Sequence, residues 1–164
     1  MELGISQNVK PVLSKLSLFI SEIIIPNEAL YLEQLAAGRW QQPPVMASMI
    51  ERAKEEGLFN LFIETEERRY TQVEYAHLAE MMGRSEIAAE VFNCAAPDTG
   101  NMEILAKFGN DDLRATYLMP LLQGNSKSGF AMTEPAVASS DATNILSLAQ
   151  REGDYWVLNG EKPW

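Results

Sequence analysis

The run Phe130-Ala131-Met132-Thr133-Glu134-Pro135-Ala136-Val137-Ala138-Ser139-Ser140 gathers the groups best suited to hold a ligand. A strand ending at Met132-Thr133 offers backbone N–H and C=O groups and a hydroxyl along one edge. That edge suits a planar ring with its own carbonyls and a reducible nitrogen. Pro135 then turns the chain. The small residues Ala136, Ala138, Ser139 and Ser140 let the backbone come close to a cofactor or an extended chain, and their N–H and hydroxyl groups can bind phosphate or ribose oxygens. On spacing alone, a polar turn between two strands, with Thr133 and Ser140 satisfying local backbone groups, explains the same residues.

Other reactive side chains point to less. Glu134 is the one carboxylate in the run and so the in-chain candidate for a general base. His77 falls between Glu74 and Glu80 on an expected helix, where a solvated position explains it. Cys94 has no neighbouring base or cation in sequence and reads as a small packed residue. Being the only cysteine, it has no disulfide partner, and no Cys/His spacing resembles a metal site. Glu64, Glu66 and Glu67 with Arg68 and Arg69 read as a solvated charged loop. The eight methionines fall at helical spacings and read as core filling.

The elements that must position these groups are mostly helical before residue 122. Val9, Val12, Leu13, Leu16, Phe19, Ile20 and Ile23 recur at spacings of three and four, which predicts a helix from Val9 to Ile25. Pro26 is expected to end it, with Asn27 capping a short helix through Ala36 before Gly38. After Pro43-Pro44, the residues Val45, Met46, Met49, Ile50 and Ala53 form a second stripe closed by Gly57. Thr71 to Glu74 has the form of a capping box, with Tyr70 and Tyr75 placed as a hydrophobic staple, and its helix stops at Gly83. Ser85 is expected to cap a helix from Glu86 to about Phe92. Further helices are expected over Asn101 to Phe108 and Asn110 to about Leu122, ahead of Gly124.

Beyond Asn125 the period changes to extended runs, Ser128 to Thr133 and Leu146 to Arg151. Tyr155 to Leu158 followed by Asn159-Gly160 predicts a strand entering a type I′ hairpin turn. A boundary is expected near residues 122 to 128. No internal repeat or low-complexity segment is seen.

With 13 basic against 23 acidic residues, the formal charge is -10, which repels nucleic-acid backbones and anionic membranes and makes nucleic acid an unexpected partner. It does not argue against an anionic cofactor held locally by N–H groups. The apolar stretch Leu16 to Ile25 is too short to span a membrane, and no export signal is read; the cytoplasm is the expected location, with an organelle matrix left open.

Two stretches carry a family resemblance. Phe130 through Asn144 resembles the flavin-proximal segment of the acyl-CoA dehydrogenase family. Asn93-Cys94-Ala95-Ala96-Pro97-Asp98-Thr99-Gly100-Asn101-Met102-Glu103 is similar to the family branch whose T-E-P segment is one residue longer. Gly109-Asn110 through Arg114, Tyr117-Leu118, Leu121 and Gly124 is similar to the helix that leads into the first strand. The resemblance runs from about residue 10 to the end.

It implies an α+β fold: an all-α N-terminal helical domain (1–125), then the beginning of an antiparallel β-barrel-like middle domain (126–164), with the C-terminal four-helix domain absent. It implies FAD as cofactor, contacted by Phe130, Ala131, Met132, Thr133, Glu134, Pro135, Ala138, Ser139, Ser140 and Trp164, with Ser140 also touching the acyl-CoA. The implied activity is oxidation of the α,β bond of an acyl-CoA, as in fatty-acid β-oxidation, passing electrons to electron-transfer flavoprotein or a similar acceptor. The resemblance makes Glu134 structural, places the catalytic base in a later region, and implies a homo-oligomer at full length. The chain alone is accordingly expected to be inactive; the alternative is a non-catalytic binding or assembly module. The Pro97 to Asn101 stretch is read either as lying near the far end of the acyl pocket or as a plain helix-linking turn. Pro163 departs from the family pattern, because proline has no N–H for a sheet ladder.

Overall fold

A computed structural model describes residues 4–38, 40–65 and 69–163. The Val9 stripe forms a helix that passes straight through its proline. α1 (Lys10–Phe19) continues into a π-helical turn, Ile20–Ile24, and on into α2 (Ile25–Ala37). The expectation that Pro26 ends a helix and Asn27 caps another is therefore corrected. In a regular helix the Pro26 ring would meet the carbonyl four residues back. Here the turn opens so that the Ile25 N–H bonds the Ile20 carbonyl, and the Asn27 amide donates to the Ile23 carbonyl at 2.8 Å.

α3 (Pro44–Glu55) buries Met46, Met49, Ile50 and Ala53, as its stripe predicts, and Gly57 follows at φ +69. α4 (Gln72–Met82) starts with the full capping box: the Thr71 hydroxyl accepts from the Glu74 N–H at 3.3 Å, and Glu74 accepts from the Thr71 N–H at 2.8 Å. Tyr70 and Tyr75 both pack against the core. α5 (Ala88–Val91) is a single turn, shorter than the helix expected after Ser85. Ser85 does accept from the Ile87 N–H, but its own proton goes to Glu28 at 2.5 Å.

α6 (Asp98–Phe108) begins three residues before the expected start, so Asp98 and Asn101 stand in its first turns and not in a loop. α7 (Asp111–Leu113), capped by the Asn110 side chain, leads through a second π-helical turn, Arg114–Leu118, into α8 (Met119–Leu122). Pro120 follows this turn in the register that Pro26 has to the first, and the Met119 N–H reaches back to Arg114.

α1 packs on α4, α2 on α3, and α3 and α4 on α5, while α6 packs on α8. Leu16, Phe19, Ile20 and Ile24 meet Met46, Met49, Leu78, Met82, Val91 and Phe92 in one core. Phe19 and Phe92 meet edge to face at 5.3 Å. Each such side chain contributes on the order of 1.5–3 kcal/mol by leaving water. Met102, Leu118 and Leu121 form a smaller cluster. Met46, Met49, Met82 and Met102 are buried as core filler, whereas Met81 and Met132 are half-buried and Met119 is exposed, which corrects the reading for those three. Asn60, between α3 and α4, and Asn93, just after α5, take left-handed backbone, which asparagine tolerates better than most residues.

By contacts the chain separates into two units, one ending at Ser128 and the other beginning at Gly129. In the second, β1 (Leu148–Glu152) pairs antiparallel with β2 (Tyr155–Asn159), Leu148 facing Asn159 and Glu152 facing Tyr155. The hairpin turns at Gly153-Asp154 and not at Asn159-Gly160, which corrects the predicted turn. Only the first central residue, Gly153, has positive φ (+62), as in a type II′ turn. Asn159 ends the ladder, and Gly160 serves close packing instead: a Cβ there would lie 2.0 Å from the Ser147 hydroxyl oxygen. Ser128 to Thr133, expected to be a strand, joins no ladder among the described residues.

Candidate functional site

Glu134 organises the second unit. It is 5% exposed, and both of its oxygens are taken. The Leu146 N–H donates to Oε2 at 2.7 Å, and the Ser147 N–H donates to Oε1 at 3.0 Å. Lys162 Nζ lies 3.0 Å from Oε1. The Ser147 hydroxyl beside the carboxylate, the two N–H groups and Lys162 hold its carboxyl down at about 2. A carboxylate so low, and so fully engaged, is a structural anchor and a poor proton acceptor.

The turn after it closes on itself. The Glu134 N–H donates to the Ser139 hydroxyl at 2.7 Å, and Ser139 is buried. The Ser139 N–H bonds the Val137 carbonyl, and Asn144 donates to the Ala138 carbonyl at 3.3 Å. Asp141 caps a short 3-10 turn, Ala142–Asn144, by accepting from the Thr143 N–H.

The expected site residues therefore divide by exposure. Phe130, Ala131, Thr133, Pro135, Ala138 and Ser140 are exposed, Met132 is half-buried, and Glu134 and Ser139 are turned inward with their polar side-chain atoms spent on the fold. Trp164 lies outside the described residues. The exposed run has no ladder partner among the described residues and carries the Thr133 and Ser140 hydroxyls. Such an edge fits a flat ring that needs donors and acceptors along one side. Lys162 is a residue that the sequence did not point to. It lines an open groove of about 370 Å³ along the hairpin with Ala131, Ser147, Leu158 and Gly160.

In the helical unit, Asp98 accepts from both the N–H and the hydroxyl of Ser128 at 2.6 Å, and Asn101 donates to that hydroxyl at 2.8 Å. This network fixes the end of the unit. Cys94 is buried and donates to the Phe92 carbonyl at 3.3 Å, as a packed residue should. Burial, with Cys94 beside it, pushes the Tyr75 phenol up. His77 is half-buried on α4. Glu64 is exposed, and Glu66, Glu67 and Arg68 lie outside the described residues. Among the described residues no cluster of three metal-ligating side chains occurs, and no helix is long and apolar enough to cross a membrane.

A helical domain followed by the start of an antiparallel β domain, joined to an exposed T-E-P run, defines the class of protein. The family model for the acyl-CoA dehydrogenase N-terminal domain matches residues 21–125. Acyl-CoA dehydrogenase family member 10 of Mus musculus is 47% identical over 169 residues, covering 98% of this chain and 16% of that protein. The probable acyl-CoA dehydrogenase FadE2 of Mycobacterium tuberculosis is 48% identical, covering 100% of this chain and 41% of that protein. A solved structure from Mycobacterium abscessus, provisionally assigned as an acyl-CoA dehydrogenase, superposes with a TM-score of 0.84 at 41% identity, covering 96% of this chain and 42% of that one. The chain belongs to the acyl-CoA dehydrogenase family and spans less than half the length of each of these relatives.

Proposed function

We propose that Phe130–Thr133 and the turn through Ser140 bind FAD. The chain would then supply the helical and first β portion of an enzyme that oxidises the α,β bond of an acyl-CoA thioester. One observation carries this reading: Phe130–Thr133 joins no ladder among the described residues and is largely exposed, while Glu134 and Ser139, which are buried, hold the turn after it. When bound, FAD supplies the acceptor for a hydride from the substrate's β carbon. The Thr133 hydroxyl and the main chain of Ala131–Thr133 would orient the ring, and Ser140 would stand where ring and acyl-CoA meet. Glu134 is not the base for the α proton, because its oxygens are already held by Leu146, Ser147 and Lys162. The base belongs to a part of the enzyme outside this chain, and the acceptor of the electrons would be electron-transfer flavoprotein or a similar protein.

The test is a visible absorbance spectrum of the chain purified with FAD and freed of excess cofactor. A retained flavin band that acyl-CoA does not bleach agrees with the proposal. A well-folded chain with no flavin overturns the binding role and supports the non-catalytic module.

A further inference from the structure

We infer that Lys162 is a positioning residue for the flavin-facing run, tying the Met132 carbonyl to the Glu134 carboxylate so that the backbone between them is held in place. This rests on the flavin reading above. Lys162 Nζ donates to the Met132 carbonyl at 3.0 Å and sits 3.0 Å from Glu134 Oε1. The Glu134 side chain is 4% exposed and that of Lys162 26%, so the pair is shielded from water and its geometry is held more firmly than that of a surface pair.

The two partners divide the labour. Glu134 retains the Leu146 and Ser147 N–H donors whatever stands at 162, so the turn beyond it stays anchored. The Met132 carbonyl, by contrast, is held by the lysine ammonium. With no ladder partner along Phe130–Thr133, this bond is what pins the middle of the run. Removing the lysine should loosen Ala131–Thr133 and leave the helical unit untouched.

The test compares the wild-type chain with Lys162→Met and Lys162→Arg. Backbone ¹⁵N order parameters at Ala131–Thr133 need no cofactor. They should be those of rigid backbone in the wild type, fall toward flexible values in Lys162→Met, and recover in Lys162→Arg. FAD titration, followed by flavin fluorescence and induced visible circular dichroism, should give a Kd ~10-fold higher for Lys162→Met, since a loosened run is binding-competent only part of the time. Lys162→Arg should return it most of the way, because it keeps the charge and the donors. Order parameters unchanged in Lys162→Met overturn the inference whatever the flavin does. So does equal FAD affinity of wild type and Lys162→Met, or failure of Lys162→Arg to restore both signals. A wild-type chain that takes up no FAD overturns the flavin reading itself, and with it the cofactor half of this inference.

Discussion

Asn93 donates its side-chain amide to the side-chain oxygen of Asn60 at 2.7 Å, and the two residues hold φ of 53° and 58°. The pair joins three segments. The Asn60 N–H bonds the Phe92 carbonyl at 2.9 Å, and the two side chains donate to the Leu122 and Leu121 carbonyls at 2.8 and 2.9 Å. They bond carbonyls at the end of α8, of which that of Leu121 also accepts from the Gly124 N–H at 3.0 Å.

Asn93→Ala should therefore remove the amide's hydrogen bonds to Asn60 and Leu121 and its longer contact with the Met102 sulfur, and place a Cβ-bearing residue without a local polar side chain in left-handed backbone. A loss of about 3 kcal/mol is expected in denaturant unfolding of the chain. Asn93→Gly should recover about 1 kcal/mol of it, since glycine takes that backbone freely.

The Glu134 carboxyl sits at about 2 against an ordinary 4.5. A carboxylate depressed in the folded state contributes stability that is fully present above about 4.5 and is lost as pH falls toward about 2. Glu74 is held at about 2 as well, first by the Ser6 hydroxyl and then by the Thr71 N–H. Amide exchange at Leu146 and Ser147 should accelerate through this window. Glu134→Gln should remove that acid dependence locally, whereas Glu74→Gln should leave it and instead flatten the acid response of α4.

At Gly160 a Cβ would lie 2.0 Å from the Ser147 hydroxyl oxygen, 2.6 Å from its Cβ and 2.9 Å from its Cα. Gly160→Ala is expected to push the chain after β2 away from Ser147. NMR shift changes should spread from Ser147 to Lys162 and leave α1–α8 unmoved. Adding Ser147→Gly removes the two closest atoms and should reverse most of the change.

Thr71→Ala removes the acceptor for the Glu74 N–H and half of the capping box. A loss of about 1 kcal/mol is expected in thermal or denaturant unfolding, and Thr71→Ser should restore nearly all of it.

Wherever one short-range rule decided the outcome, the sequence was enough. The α3 stripe, the Thr71–Glu74 box and the Asn110 cap each depend on residues within a turn of one another, and each formed as their spacing requires. The α5 helix is a single turn, and Ser85, which accepts from the Ile87 N–H, also donates to Glu28, a partner 57 residues away that local spacing does not show. The hairpin turns at Gly153-Asp154, and Asn159 instead pairs with Leu148 at the end of the ladder, a cross-strand partner that the local Asn-Gly signal does not show. In the candidate site, the family motif pointed to the run from Phe130 to Ser140 but not to which members face outward. That division depends on Leu146, Ser147 and Lys162, which reach Glu134 from 12, 13 and 28 residues further along the chain.

The π-helical turns before Pro26 and Pro120 bear on how these helices tolerate changes in length. A π turn holds one residue more than the α turn it replaces, so each is an insertion that the helix has absorbed. Deleting a residue within 20–24 would restore the regular ladder, drive the Pro26 ring onto a carbonyl, and swing α2 by about 100° around its axis. Tyr31, which packs against the core from α2, would be carried off it. The extra residue and the proline behind it form a matched pair, and neither is removed safely without the other.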